Sequence, residues 1–225
     1  MILVIRGHIR NSFSTKDLYQ FIKQLYEIDP TLKIYIHTWT IFANNLSWRN
    51  IQIDNTLTSK EIIYDYLDDL KNLVEEIVID DDSKIDLIGN LEGNMNKRGV
   101  MPIKGWKNYW YGKYKIIKHI YNKTENTNEM IVNTRFDVFD NSNNFSQEIL
   151  LNLIKTNIGI KFTENKFIYD MEFKGVDNTY VGNIETMYKL AHYFHNNLDE
   201  ILMENSDVYH HENLVYKKNL QLYTL

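Results

Sequence analysis

Four short apolar runs, each ending in polar residues, set the rhythm of the first 140 positions. Ile2-Leu3-Val4-Ile5 is continuous, as in a strand covered on both faces; Leu32 to Ile36, Glu76 to Ile79 and Met130 to Val132 follow. Between them the apolar period lengthens to that of a helix: Leu18, Ile22 and Leu25; then Ile62, Ile63, Tyr66, Leu67, Leu70 and Val74; then Trp106, Tyr109, Trp110, Tyr114, Ile117 and Ile120. Ser14 with Asp17, and Thr58 with Glu61, have capping-box spacing at two of the helix starts. Strands alternating with helices predict an α/β chain with a largely parallel sheet. Residues from about Ile88 to Val100 carry three Gly and no period, and predict a long loop of the kind that often serves as a lid. Beyond the fourth run the pattern predicts a helix over Ser146 to Ile154, a strand over Gly159 to Phe162 and another over Phe167 to Asp170. Asn183 then caps a helix built on Met187, Leu190, Ala191 and Phe194, and a last helix opens near Tyr209 to Leu214. No repeat or linker interrupts the chain, so a single domain is expected.

Composition narrows the function classes. The chain has 225 residues, 44% hydrophobic and 24% charged, as a soluble globular domain has. A net charge of -5 speaks against a nucleic-acid partner. With no Cys, disulfides and thiolate chemistry are excluded. No stretch reaches the roughly 18 apolar residues of a membrane span, and Arg6 interrupts the first run, so a cytoplasmic protein is expected.

The chemistry collects where the strands end. Open α/β sheets bind ligands beyond the carboxyl ends of their strands. The first run passes into Arg6-Gly7-His8-Ile9-Arg10, a Gly turn with two Arg ahead of a helix, which suits phosphate or nucleotide recognition. The second ends in His37-Thr38-Trp39, where Trp39 has the ring to stack on a base, or simply to fill the core. The third runs into Asp80-Asp81-Asp82, which reads as a solvated loop, because three consecutive residues do not converge on one ion. The fourth ends Asn133-Thr134-Arg135-Phe136-Asp137-Val138-Phe139-Asp140, where a carboxylate beside a guanidinium suits a divalent cation and a diphosphate. Strand alternation puts Arg135, Asp137 and Phe139 on one face, with Phe136 and Val138 on the other, and Asn141 to Asn144 predict a turn after them. The same residues also fit an ordinary strand-end ion pair. Lys115 belongs to the aromatic, Lys-rich helix just before this tip, whose rings are expected on the sheet while one or two Lys face an anionic ligand.

In order, these pieces resemble a group of small GT-A-type glycosyltransferases of bacterial polysaccharide loci and large DNA viruses. The resemblance rests on Gly7-His8-Ile9-Arg10, Ile36-His37-Thr38-Trp39, Tyr114-Lys115-Ile116, Arg135-Phe136-Asp137, the segment Asp177 to Gly182, and His211-Glu212. It implies a GT-A-like (Rossmann-like) mixed sheet flanked by helices. Residues 1–140 would form the nucleotide-sugar half and 141–225 the acceptor half. It also implies a nucleotide-sugar donor, commonly a UDP-sugar, a glycan or other hydroxyl acceptor, and Mn²⁺ or Mg²⁺. The usual D-x-D is replaced by Asp137-Val138-Phe139-Asp140, so Asp137 is the expected metal ligand, with Asp140 and His210 or His211 as further ligands.

On this reading Arg10 and Lys115 contact the phosphates, Arg6, Gly7, Trp39 and Arg135 complete the nucleotide site, and Asp177 takes the acceptor proton if the reaction inverts configuration. A nucleotidyl- or phosphotransferase using the same metal and diphosphate, or a glycan-binding module without chemistry, are the alternatives.

Overall fold

A computed structural model of the chain describes residues 1–47, 51–95, 101–140, 146–168, 178–206 and 211–223. Trp48, Arg49, the expected turn at Asn141 to Asn144, Asp177, His210 and the side chain of His211 lie outside the described residues.

Strand β1 (Ile2–Arg6) is buried along its whole length. It leads through a short 3-10 turn to helix α1 (Asp17–Ile28), strand β2 (Lys33–Trp39), a hairpin of β3 (Ile41–Ala43) and β4 (Asp54–Leu57), helix α2 (Lys60–Leu67) and strand β5 (Val74–Asp80). Helix α3 (Ile103–Lys123) and strand β6 (Met130–Arg135) follow, then α4 (Gln147–Asn157), β7 (Lys166–Phe167), β8 (Tyr180–Asn183), α5 (Ile184–Glu204) and α6 (His211–Tyr223). Six strands form one mixed sheet in the order β5-β2-β1-β6-β8-β7. The first four are parallel; β8 runs against β6, and β7 against β8. The sheet therefore draws strands from both halves of the sequence.

Alternation along β1 gives the sheet two cores. Leu3 and Ile5 face one layer with Leu18, Phe21 and Leu25 of α1, Ile63 and Leu67 of α2, and Leu150 and Ile154 of α4. Ile2 and Val4 face the other, with Trp110, Ile116 and Ile117 of α3, Met187, Leu190 and Phe194 of α5, and Leu214 of α6. Helices α3 and α5 meet through the Trp110 and Phe194 rings, stacked with centroids 4.2 Å apart. This is the expected two-sided α/β layering, with helices covering both faces of the sheet.

Local signals held where side-chain geometry enforced them. Asn183 caps α5 in a reciprocal box with Thr186: the Thr186 N–H donates to Asn183 Oδ1 at 2.8 Å and the Asn183 N–H donates to Thr186 Oγ1 at 3.0 Å. The other two expected caps are corrected. Position 14 does not cap α1; its N-cap is Lys16, without a side-chain bond, and the Ser14 hydroxyl donates to the carbonyl of Asn11. Helix α2 is capped by Ser59 rather than Thr58, with Ser59 Oγ accepting from the Ile62 N–H. That helix is also shorter than its apolar stripe. Asp68 turns to φ +54°, a 3-10 segment covers Asp68–Leu73, and Val74 opens β5. Gly159 to Phe162 form no strand; the edge strand lies a few residues on, as β7. The β3–β4 hairpin escaped prediction because β4 is largely exposed and lacks an alternating apolar face.

One close approach carries a prediction. Helix α3 crosses β2 at Gly112, where an added Cβ would lie 2.5 Å from His37 Nδ1. The His37 ring cannot swing away without breaking its hydrogen bond to Asp80. Gly112→Ala should therefore lower stability by about 1–3 kcal/mol, the ordinary cost of overpacking, measured by urea denaturation. A stability equal to that of the parent chain would show that the contact yields freely.

Candidate functional site

The strand order reverses between β1 and β6. From β1 the chain goes outward to β2 and β5; from β6 it goes the other way, to β8 and β7. The loops leaving the carboxyl ends of β1 and β6 thus diverge, and a crevice forms between them. Gly7 begins the first loop at φ +94°, and its N–H donates to the His37 carbonyl at 3.0 Å. Arg10 also has a left-handed backbone, φ +54°, which for a residue with a Cβ is strained. Its N–H donates to the Phe42 carbonyl at 2.9 Å, tying the loop to the β3–β4 hairpin.

The second loop corrects the strand-alternation picture. Strand β6 ends at Arg135, and Phe136–Val138 form a 3-10 turn rather than more strand. Burial drives the turn: Phe136 and Val138 enter the core, and Phe139 packs against the same core instead of sharing a face with Arg135 and Asp137. Asp137, at φ -87° and ψ 25°, is folded back onto the strand end. Its carboxylate accepts from Arg135 Nε at 2.8 Å and from Arg135 Nη2 at 2.7 Å, a two-bond fork, and from Arg10 Nη1 as well. Only 3% of the Asp137 side chain is exposed, against 18% for each arginine. Arg135 Nη1 also donates to Asn178 Oδ1 at 2.9 Å, while the hydroxyls of Thr134 and Thr179 meet at 2.7 Å. The segments after β1 and β6 are thus pinned to a single carboxylate, and Arg135 links the segment before β8 to them through Asn178.

Arg10 and Asp137 of this cluster line a cleft of ≈ 630 Å³. Arg10, Asn11, Asp137 and Asp140 lie on one side, with Ala43 and residues 51–55 of the hairpin, among them Gln52, Asp54 and Asn55, on the other. The volume lies within the roughly 300–1,000 Å³ usual for small-molecule sites. Although Asp140 as a residue is exposed, desolvation, and after it the charges of Asp137 and Asp17, raise its carboxyl above the ordinary range.

The other expected site residues form two further clusters along the same edge. Arg6, buried, donates from Nε to Asn133 Oδ1 at 3.1 Å and from Nη2 to the Tyr109 hydroxyl at 2.7 Å, and its guanidinium lies over the Tyr109 ring. Lys113, wholly buried, donates to the same hydroxyl at 2.8 Å. Lys115 does not line the cleft: its ammonium donates to both oxygens of Asp80, at 2.7 and 2.8 Å. Asp80 also accepts from His37 Nε2 at 3.0 Å, so the first Asp of the triple is a half-buried strand end and not part of a solvated loop. Trp39 is buried between His8 and Tyr111, which leaves its ring faces covered. Sequence reading missed Asn133, Tyr109, Lys113, Asn178 and the hairpin wall. A signal was present for Asn133, a polar residue inside an apolar strand.

The divalent cation implied by the resemblance does not fit this donor set. Both oxygens of Asp137 are engaged by guanidinium groups, and a cation would have to share a nearly buried carboxylate with these like charges. Among the described residues no group of three His, Asp or Glu side chains converges as metal ligands.

Burial sets the titration of the edge. It lowers His8 to about 3, with Arg10 adding to the effect, and it also lowers His37, whose Nε2–H is then a neutral donor to Asp80. Burial opposes ionisation of Asp80, but hydrogen bonds from His37 and Lys115 outweigh it and hold the carboxyl at about 2. Both imidazoles are lowered from an unfolded value of 6.5, so the unfolded chain takes up protons that the folded one refuses. Their stabilisation is complete above about pH 6.5 and declines as pH falls, for His8 towards about 3; that of Asp80 is lost between its unfolded 3.8 and about 2. Urea titrations between pH 8 and pH 3 should show stability falling below about 6.5, and His8→Gln should flatten that slope. An equal slope in the variant would remove His8 from the account.

The chain matches no family model and no curated protein sequence, so the reading of this cleft rests on its geometry.

Proposed function

We propose that the protein is a GT-A-like glycosyltransferase that moves a sugar from a nucleotide-sugar donor, a UDP-sugar in the simplest case, to a hydroxyl of a glycan or similar acceptor. The observation that carries this reading is the Arg10–Asp137–Arg135 cluster at the reversal of strand order, opening on a cleft of small-molecule size. The Arg10 guanidinium faces that cleft, held by Asp137 and by its own fixed backbone, with the Arg135 fork behind it. The parallel β5-β2-β1-β6 block beside an antiparallel β8 supports a nucleotide-binding sheet continued into an acceptor side.

In such a transfer the acceptor oxygen bonds to the anomeric carbon while the bond from that carbon to the phosphate oxygen breaks. Its electron pair leaves with the nucleoside diphosphate. Charge thus grows on the diphosphate, and preorganised donors aimed there lower the barrier. Arg10, which lines the cleft, fills this role, and Asp137 and Arg135 are positioning residues that hold its guanidinium in place. The acceptor proton goes to a carboxylate if configuration inverts. Asp177 is the candidate, next in sequence to Asn178, which Arg135 holds. A glycan-binding module without chemistry is the second reading, favoured by the carboxylate and amide groups of Asp54, Gln52 and Asn55 on the hairpin wall, which suit sugar hydroxyls.

A thermal-shift screen of nucleoside diphosphates, nucleotide sugars and free oligosaccharides separates the two. The transferase reading expects one nucleoside diphosphate to stabilise the protein by roughly 2.7 kcal/mol at a hundredfold excess over its dissociation constant. Arg10→Ala should weaken that ligand at least tenfold. Stabilisation by oligosaccharides alone would establish the binding module, and no shift with any nucleotide would end the transferase reading.

A further inference from the structure

We infer that the cation meeting the diphosphate is the Arg10 guanidinium, held on Asp137 and backed by Arg135, and that Asp137 is not a ligand to a divalent cation. The inference rests on the transferase reading for the identity of the anion, but its statement about Asp137 stands on the geometry of this tip. An ionised carboxylate offers about four lone-pair positions. Arg135 takes one on each oxygen of Asp137, and Arg10 takes a second on Oδ2. A cation there would have to share that oxygen pair with two guanidiniums whose charge repels it. The backbone is committed to the same arrangement. Arg10 adopts a strained left-handed conformation fixed by the Phe42 carbonyl, and Asp137 is folded over by the burial of Phe136 and Val138.

The remaining carboxylates of the cleft do not assemble a substitute. Asp54 lies on the hairpin and accepts from the Thr56 N–H at 2.9 Å, whereas Asp140 lies on the β6 side with Arg10 and Asp137. Each would offer a cation one carboxylate, and among the described residues no third ligand joins them.

The test uses the whole chain, with Mn²⁺ and UDP as probes. Free Mn²⁺ is followed by electron paramagnetic resonance as protein is added, alone and with UDP. The expected result is no protein-dependent loss of free Mn²⁺ beyond what UDP alone produces. UDP affinity by calorimetry should be the same within twofold in EDTA and in Mn²⁺. Asp137→Asn keeps one of the two acceptor oxygens, turns the other into an amide N–H that faces a guanidinium, and removes the carboxylate charge, so it is the control for Mn²⁺ binding at this position. Stoichiometric Mn²⁺ binding that disappears in Asp137→Asn, or a tenfold loss of UDP affinity in EDTA, would overturn the inference. If Asp137→Asn fails to fold, the two wild-type measurements decide alone. If UDP and the other nucleoside diphosphates do not bind under either condition, the transferase reading falls, while the Mn²⁺ titration still decides the role of Asp137.

Discussion

A single buried carboxylate organises the carboxyl edge of the sheet. Taking Asp137 out of water costs several kcal/mol, and only well-aligned partners return it. Arg135 provides a fork from the same strand end, and Arg10 reaches across from the loop after β1. Neither alone reproduces the geometry, since removing one partner from such a pair typically costs about 3–5 kcal/mol through the charge left behind. The clasp thus fixes how two diverging loops stand relative to each other, and the Arg135–Asn178 bond carries that constraint to the segment entering β8. A cleft whose walls come from three distant parts of the chain needs such a fixed point.

The same rule of pairing recurs along the edge. Lys115 and His37 share Asp80, and Arg6 and Lys113 share the Tyr109 hydroxyl. Lys113 also lies 4.0 Å from the Trp110 ring centroid and 4.2 Å from that of Tyr109, contacts that help an ammonium to tolerate full burial. Cations that look available in the sequence are therefore mostly committed within the fold. Arg10 differs because it is held on Asp137 yet still lines the cleft. Proximity to strand ends selects a region, and the pairing pattern then selects the residue within it.

How much of this was legible beforehand follows from which forces are local. The continuous run Ile2–Ile5 announced a strand covered on both faces, because that burial needs nothing beyond the run itself, and Asn183 announced a helix start because its bond partner lies three residues on. Charges at the ends of β1 and β6 were also readable as one edge. Pairing across that edge was not. Lys115 beside a triple Asp gives no hint that α3 brings it onto Asp80, since 35 residues separate them in sequence. Alternation failed at Phe136 for a similar reason: the core that captures Phe136 and Val138 is built by distant helices, and its demand bends the chain where a strand would have continued. The β3–β4 hairpin left no apolar pattern because its role is to wall a cleft, not to fill a core.

The two walls of that cleft differ in what they ask of a ligand. The sheet-edge side offers the Arg10 guanidinium with the Asp137 and Asp140 carboxylates, while the hairpin side offers the Asp54 carboxylate with the amides of Gln52 and Asn55. A diphosphate turned towards the hairpin would meet Asp54 and be repelled; turned the other way, it meets in Arg10 the one cation lining this cleft among the described residues, shared with Asp137 and beside Asp140. Hydroxyl groups have the opposite preference, since a carboxylate accepts two of them as readily as it accepts a guanidinium fork. A molecule with an anionic end and a polyhydroxylated end is matched by Arg10 on one wall and by the polar groups of the hairpin on the other. On the proposed reading this alignment puts the phosphate at the sheet edge and the sugar under the hairpin. The bond to be broken then lies between the two walls, where the clasp on Asp137 has set Arg10 in advance.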